Sequence, residues 1–226
     1  AVRVTAAISG TPQAAGAAIT AADWVFCLTR LDMACVQPLV PPAHKLTFLP
    51  PFLDPDPFAN GQPNRAALAR RFALNPDRRW LLTVAMMRPG DKLHSYQRLG
   101  AALARLNRND WQLLVVGDGS ARDQVHAALA PIMENVIFAE VLPLDDLPDI
   151  YRACDIYVWP GVGEAYGMAY LEAQAAGLPV VAGDERGVPD VVRDGETGLL
   201  TPPGDDGAFA DAVAQVLDDG DLRRRL

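Results

Sequence analysis

Cysteine is scarce. The 226 residues hold three, Cys27, Cys35 and Cys154, an odd number without metal-ligand spacing. That excludes a disulfide framework and a cysteine-built metal site, and free thiols in a cytoplasmic protein are expected. The three histidines, His44, His94 and His126, are scattered and expected at the surface. No apolar run approaches the ~18 residues that a membrane-spanning helix needs. Basic charge is also lacking: 20 Lys and Arg against 28 Asp and Glu give a net charge of −8. A general nucleic-acid binder needs a basic face to neutralise phosphates, so that class is set aside. The first twenty residues are rich in Ala and Gly but lack a basic flank before an apolar block, so no secretory signal is expected in them. The chain opens on Ala1 and stops at Leu226 just after a helical pattern, and reads as a piece of a longer protein.

What is present is a regular alternation. Short, continuously apolar runs at 80–85, 112–116, 136–138, 156–159 and 179–182, with a weaker one at 198–201, read as strands covered on both faces. Helical patterns lie between them at 93–106, 121–129, 144–153 and 167–176, and after them at 206–217 and from 221 onward. Strand–helix alternation at this spacing predicts right-handed crossovers and a doubly wound parallel α/β sheet, with ligands beyond the carboxyl ends of the strands. Residues 22–28 and 45–49 read as two further strands around a helix near 32–40, while residues 1–20 show no convincing pattern. The proline-rich 50–58 reads as a linker or hinge. The expected division is therefore a small unit at 1–53, a linker with a first helix at 54–78, and a Rossmann-like domain at 79–226.

The richest stretch is 159–182. It reads as strand end, glycine loop, helix, helix stop and strand. Gly167 opens the helix and keeps a side chain away from the backbone, so free N–H groups near Tyr166, Gly167, Met168 and Ala169 would face an anion. The helix dipole adds about 0.3–1 kcal/mol. Gly177 and Pro179 end the helix. Glu164 and Glu172 stand eight positions apart across its start. Between them they offer carboxylates to sugar hydroxyls, Glu172 to a ribose. Taken alone, one is equally an acid favoured by the dipole and the other a solvated helical Glu.

Pro160, Glu164, Tyr166, Gly167, Glu172 and Ala173 fall in register with the Pro-x-x-x-Glu-Gly-Phe-Gly-x-x-x-x-Glu-Ala element of retaining family 4 glycosyltransferases (group 1 glycosyl transferases, GT-B fold). Further segments resemble that family in the same order. They are the glycine turn Gly117-Asp-Gly119 after a strand, the strand 136–138 before a nucleobase loop, 185–190, and 194–200. The resemblance covers nearly all of the chain after residue 20, mainly the family's C-terminal donor-binding domain; 1–53 resembles the end of the N-terminal acceptor domain. It implies transfer of a sugar from a UDP-, GDP- or ADP-sugar to an acceptor hydroxyl with retention. Glu172 would meet the ribose and Glu164 the donor sugar, and Gly117, Gly119 and the backbone of Val141 and Leu142 would line the nucleotide. No cofactor or metal is implied. The acceptor, a glycan, a lipid or a small molecule, would bind through the missing N-terminal half. Some family members touch a membrane surface through that half. This chain alone is expected to bind donor without turnover.

Two positions depart from the pattern. Arg88 and Lys92 follow a strand end where the family carries an Arg and a Lys on the diphosphate, but the family spacing falls on Met87 and leaves Arg88 one residue late. Glu140 stands where the family commonly has Gly. Asp54-Pro-Asp56 imitates an Asp-x-Asp metal motif but is flanked by prolines and belongs to the linker. Two other readings stay open: a non-catalytic nucleotide-sugar-binding module on the same fold, and a dinucleotide-binding oxidoreductase domain. The latter would use Gly117-x-Gly119 and the acidic Glu140, although Arg122 stands where its third glycine belongs.

Overall fold

A computed structural model describes residues 4–5 and 12–226, with side chains from residue 14 on. The remaining residues of the patternless opening stretch lie outside the description. The chain forms two compact units, Ala1–Phe52 and Leu53–Leu226.

The first unit is a three-stranded parallel sheet in the order β1 (Val4–Thr5), β2 (Trp24–Cys27), β3 (Lys45–Phe48). Helices α1 (Pro12–Ala21) and α2 (Arg30–Val36) connect the strands. Thr29 caps α2 by accepting from the Asp32 N–H at 3.0 Å. The core is small: Ile19, Ala22, Val25 and Cys27, with Met33, Val36, Val40 and Leu46 against it. Helix α1 escapes a periodicity reading because its Ala- and Gly-rich sequence has little amphipathic contrast.

The second unit begins with two helices, α3 (Asp56–Ala59) and α4 (Arg65–Phe72). Alternating strands and helices follow: β4 (Arg79–Val84), α5 (Asp91–Leu103), β5 (Trp111–Val116), α6 (Arg122–Leu129), β6 (Val136–Phe138), α7 (Leu147–Ala153), β7 (Ile156–Trp159), α8 (Met168–Ala175), β8 (Val180–Gly183), β9 (Gly198–Thr201), α9 (Asp206–Asp218) and α10 (Gly220–Arg225). All six strands are parallel, in the order β6-β5-β4-β7-β8-β9. Every residue of β5, β7 and β8 is buried, as the apolar runs require of strands covered on both faces. Helix α5 packs with α6 and α9, and α7 packs with α3, α4 and α8, giving a helical layer on each face.

Residues 56–72 are bound into this unit. The Arg65 guanidinium lies 3.7 Å over the Trp80 ring, donates to Asp155 at 3.1 Å, and also bonds the Ala153 carbonyl. Arg152 donates to the Pro57 and Phe58 carbonyls at 2.5 and 2.9 Å. His94 is exposed, while His44 and His126 are half-buried. In His126 the half-burial has a visible cause. Its ring stacks on Phe138 with centroids 3.9 Å apart, because it lies on the face of α6 turned to β6.

Candidate functional site

The sheet order sets the place of the site. From β4 the chain moves outward to β5 and β6; from β7 it moves the opposite way to β8 and β9. Strands β4 and β7 are neighbours, pairing Leu81 with Ile156 and Leu82 with Tyr157. The loops leaving their carboxyl ends therefore part, and a crevice opens between them.

The glycine loop 160–167 is folded around Tyr170 and tied to α5. Tyr170 is buried, and its hydroxyl donates to the Trp159 carbonyl at 3.1 Å. A Cβ on Gly161 would lie 2.5 Å from that hydroxyl, and one on Gly167 would lie 2.5 Å from the Tyr170 ring. Gly167 has φ +74°, so sterics and backbone both require glycine there. Ser95, fully buried, donates to the Asp91 carbonyl at 2.8 Å and accepts from the Val162 N–H at 2.9 Å. This hydroxyl pins the loop to the first turn of α5. No side chain caps α8 at Gly167. The orphan amides of its first turn stay available to an anion.

Val84, Lys92, Tyr157, Trp159, Glu164 and the turn 167–170 line a small cavity of about 70 Å³ at that helix start. Lys92 enters from α5 and Glu164 from the glycine loop, and the ammonium donates to Glu164 Oε2 at 2.5 Å. Trp159 Nε1 points to the same oxygen at 3.4 Å, and Lys92 Nζ lies 5.4 Å from the Trp159 ring centroid. Burial holds the Tyr157 and Tyr170 hydroxyls well above the usual phenol range; for Tyr157 the nearby charges of Glu164 and Glu172 act the same way, and for Tyr170 that of Glu164 does. The carboxylate of Glu172, further along α8, accepts from the Tyr151 hydroxyl at 2.7 Å.

The other expected residues line the same edge of the sheet. Gly117 and Gly119 have φ +141° and +152°, and a Cβ would lie 2.0 Å from the Ala85 carbonyl oxygen and 2.2 Å from that of Met87. Glycine is needed there so that the turn after β5 can press against the loop after β4. The Met87 N–H donates to the Asp118 carbonyl at 2.8 Å and the Ala121 N–H to the Met87 carbonyl at 2.9 Å. The Met87 side chain is 2% exposed, so it belongs to the core and not to a ligand. Arg88 is exposed, and its side chain has no partner among the described residues. It does not line the cavity.

Glu140 has φ +56°, the left-handed backbone that glycine adopts at no cost. Its carbonyl accepts from the Gly117 N–H at 2.8 Å, and its carboxylate pairs with Arg122 at 3.1 Å. Beyond it Val141 is exposed and Leu142 packs partly on the core. Tyr166 is half-buried on the core, and Met168 and Ala169 begin α8. The sequence motifs do not disclose Ser95, Tyr151 or Tyr170, which hold these elements in place by contacts across distant segments.

A doubly wound sheet of six parallel strands, with an uncapped helix start and facing Lys and Glu at its switch point, has the architecture of one half of the GT-B fold. Residues 78–219 match the family described as Glycosyl transferases group 1, and the chain belongs to that family. Among relatives, it is 32% identical over 209 residues to the GDP-mannose-dependent alpha-(1-6)-phosphatidylinositol monomannoside mannosyltransferase of Mycolicibacterium smegmatis, covering 88% of this chain and 54% of that protein. It is 31% identical over 213 residues to the D-inositol 3-phosphate glycosyltransferase of Acidothermus cellulolyticus, covering 90% and 46%. The chain thus spans about half the length of these relatives. The solved structure of Anabaena Alr3699/HepE in complex with UDP and glucose superposes with a TM-score of 0.79 at 20% identity, over 94% of this chain and 58% of that one. At that identity the likeness is one of fold.

Proposed function

We propose that this chain is the donor-binding half of a retaining family 4 glycosyltransferase that takes its sugar from a nucleoside diphosphate. The observation that carries the reading is the meeting of Lys92, Glu164 and the uncapped start of α8 in one crevice at the switch point. A diphosphate leaving group gains negative charge as its bond to the sugar breaks. A fixed ammonium and a helix N-terminus lower the energy of that state most where water is sparse. Lys92 supplies the ammonium, with Arg88 reaching from the exposed loop. Glu164 holds hydroxyls of the donor sugar and Glu172 those of the ribose. Gly117 and Gly119 let the loops close up beneath the nucleotide, and the backbone of Val141 and Leu142 meets the base. No metal takes part.

The acceptor hydroxyl comes from a substrate held by the other half of the full-length protein, whether glycan, lipid or small molecule. The reading assigns the protein to the cytoplasm, where Cys27, Cys35 and Cys154 stay as thiols. The printed names of its relatives and neighbours make GDP-mannose and UDP-glucose the first donors to try.

Titration calorimetry of this chain with GDP, UDP, ADP, NAD and pyrophosphate tests the reading. Binding of one nucleoside diphosphate, weakened by Lys92→Ala, is expected. Binding of NAD alone, or of none, overturns it. Sugar transfer by this chain without its other half would refute the division of labour.

A further inference from the structure

We infer that Tyr151 is a positioning residue that aims Glu172 at the ribose, an inference that rests on the donor-site reading above. Glu172 lies on α8 and is half-buried, and its side chain is held at one point. The Tyr151 hydroxyl, from α7, donates to Oε2 at 2.7 Å, and among the described residues nothing bonds the other oxygen. One carboxylate oxygen is thus occupied from below and the other is left for a ligand. A carboxylate gripped this way has lost its rotational freedom before the ligand arrives, which lowers the ordering cost of binding.

The tyrosine is itself immobile. Tyr151 is fully buried and stacks on Tyr157 with centroids 6.0 Å apart. Its other neighbour is Phe58, which meets it edge-on at 5.7 Å. Phe58 belongs to the one-turn helix α3, whose carbonyls Arg152 clamps, and Arg152 in turn pairs with Asp149 at 2.5 Å. Burial pushes the Tyr151 hydroxyl well above the usual phenol range, and the Tyr157 and Glu172 charges act in the same sense, so the group remains a donor throughout the working pH range. The nucleotide-gripping carboxylate is therefore set by a brace that runs from the segment just after Phe52, through Phe58, to Tyr151.

Calorimetry with GDP, UDP and pyrophosphate distinguishes an aiming role from plain packing, because pyrophosphate has no ribose. Tyr151→Phe keeps the ring and is expected to lower the affinity for the preferred nucleoside diphosphate about tenfold while leaving pyrophosphate within about twofold. Glu172→Gln should show the same selectivity, and the double variant should be no weaker than Glu172→Gln alone, since the hydroxyl acts only through that carboxylate. Phe58→Leu retains the hydroxyl but loosens its brace, and a smaller loss of about threefold, again confined to the nucleotide, is expected. Unchanged nucleotide affinity in Tyr151→Phe, equal loss for pyrophosphate, or additive losses in the double variant would overturn the inference. If Glu172→Gln still loses the nucleotide selectively in those cases, the donor-site reading stands. If the unaltered protein does not favour a nucleoside diphosphate over pyrophosphate, both fall.

Discussion

Lys92 and Glu164, 72 positions apart in the chain, hold each other at 2.5 Å across the mouth of the crevice. Their side chains are only 18% and 16% exposed, so water screens the pair weakly. On the proposed reading the cation assigned to phosphate is paired with the acid assigned to the sugar, and the two roles are linked.

That link predicts opposite effects of two substitutions. Lys92→Ala should cost about 1.5–3 kcal/mol of pyrophosphate or nucleotide binding, the worth of a charged hydrogen bond. Glu164→Gln should tighten pyrophosphate binding by about three- to tenfold, because the ammonium is freed from its anionic partner. Titration calorimetry reads both. Pyrophosphate binding no tighter in Glu164→Gln than in the unaltered protein would mean that pair and phosphate do not compete.

Two glycines with positive φ should respond differently to alanine. Gly177, at φ +72° with open space around it, ends α8, and Gly177→Ala should cost about 1–2 kcal/mol for backbone alone. Gly117→Ala places its methyl 2.0 Å from the Ala85 carbonyl and should cost about 3 kcal/mol or more, since the loop after β4 must shift. Urea unfolding checks the ranking; equal losses would show that the loops are not interlocked.

At Glu140 the expectation is asymmetric. Glu140→Gly relieves the left-handed backbone but loosens the unfolded chain, and the exposed Arg122 pair contributes little, so stability should stay within about 0.5 kcal/mol. Glu140→Val should lose about 1–2 kcal/mol, because a β-branched side chain fits that backbone worst. Denaturant midpoints of the two variants separate these outcomes.

Alkaline pH should unfold the domain in one step. Burial raises the ionisation of Tyr96, Tyr151, Tyr157 and Tyr170 above the phenol range. The folded form binds these protons more tightly than the unfolded chain, whose phenols ionise near pH ~10. Stability is thus intact below that pH and falls as pH climbs through the folded values, by about 1.4 kcal/mol per pH unit for each tyrosine titrated. Tyrosinate absorbance from these four should appear together with the loss of circular dichroism. Smooth titration of all four within the intact fold would contradict their burial.

The sheet was legible because its strands are dense apolar runs, and Gly, Asp or Pro stand at both ends of β5, β7 and β8. The expected bounds 136–138, 156–159 and 198–201 coincide with β6, β7 and β9. The start of α8 was legible because its opening at Gly167 and its stop at Gly177 and Pro179 are local signals, and that start sets Glu164 before the helix and Glu172 along it. What joins segments was not legible. No spacing rule brings Lys92 to Glu164 or Tyr151 to Glu172, since those meetings depend on how crossovers set neighbouring strands. Phe58 read as linker because its prolines mask the single helical turn by which it docks. The one-residue shift of Arg88 against Met87 shows in the spacing, but only packing tells that Met87 turns into the core and Arg88 outward.

The tight glycines carry an evolutionary consequence. At Gly117, Gly119 and Gly183 the room for a methyl is taken by a carbonyl of the adjoining loop, those of Ala85, Met87 and Pro160. Loops interdigitated in this manner cannot lengthen one at a time, so descendants of this chain would diversify there by exchanging side chains on a fixed frame. Val141 and Leu144, by contrast, stand out in solvent, where one side chain can replace another at little cost to packing.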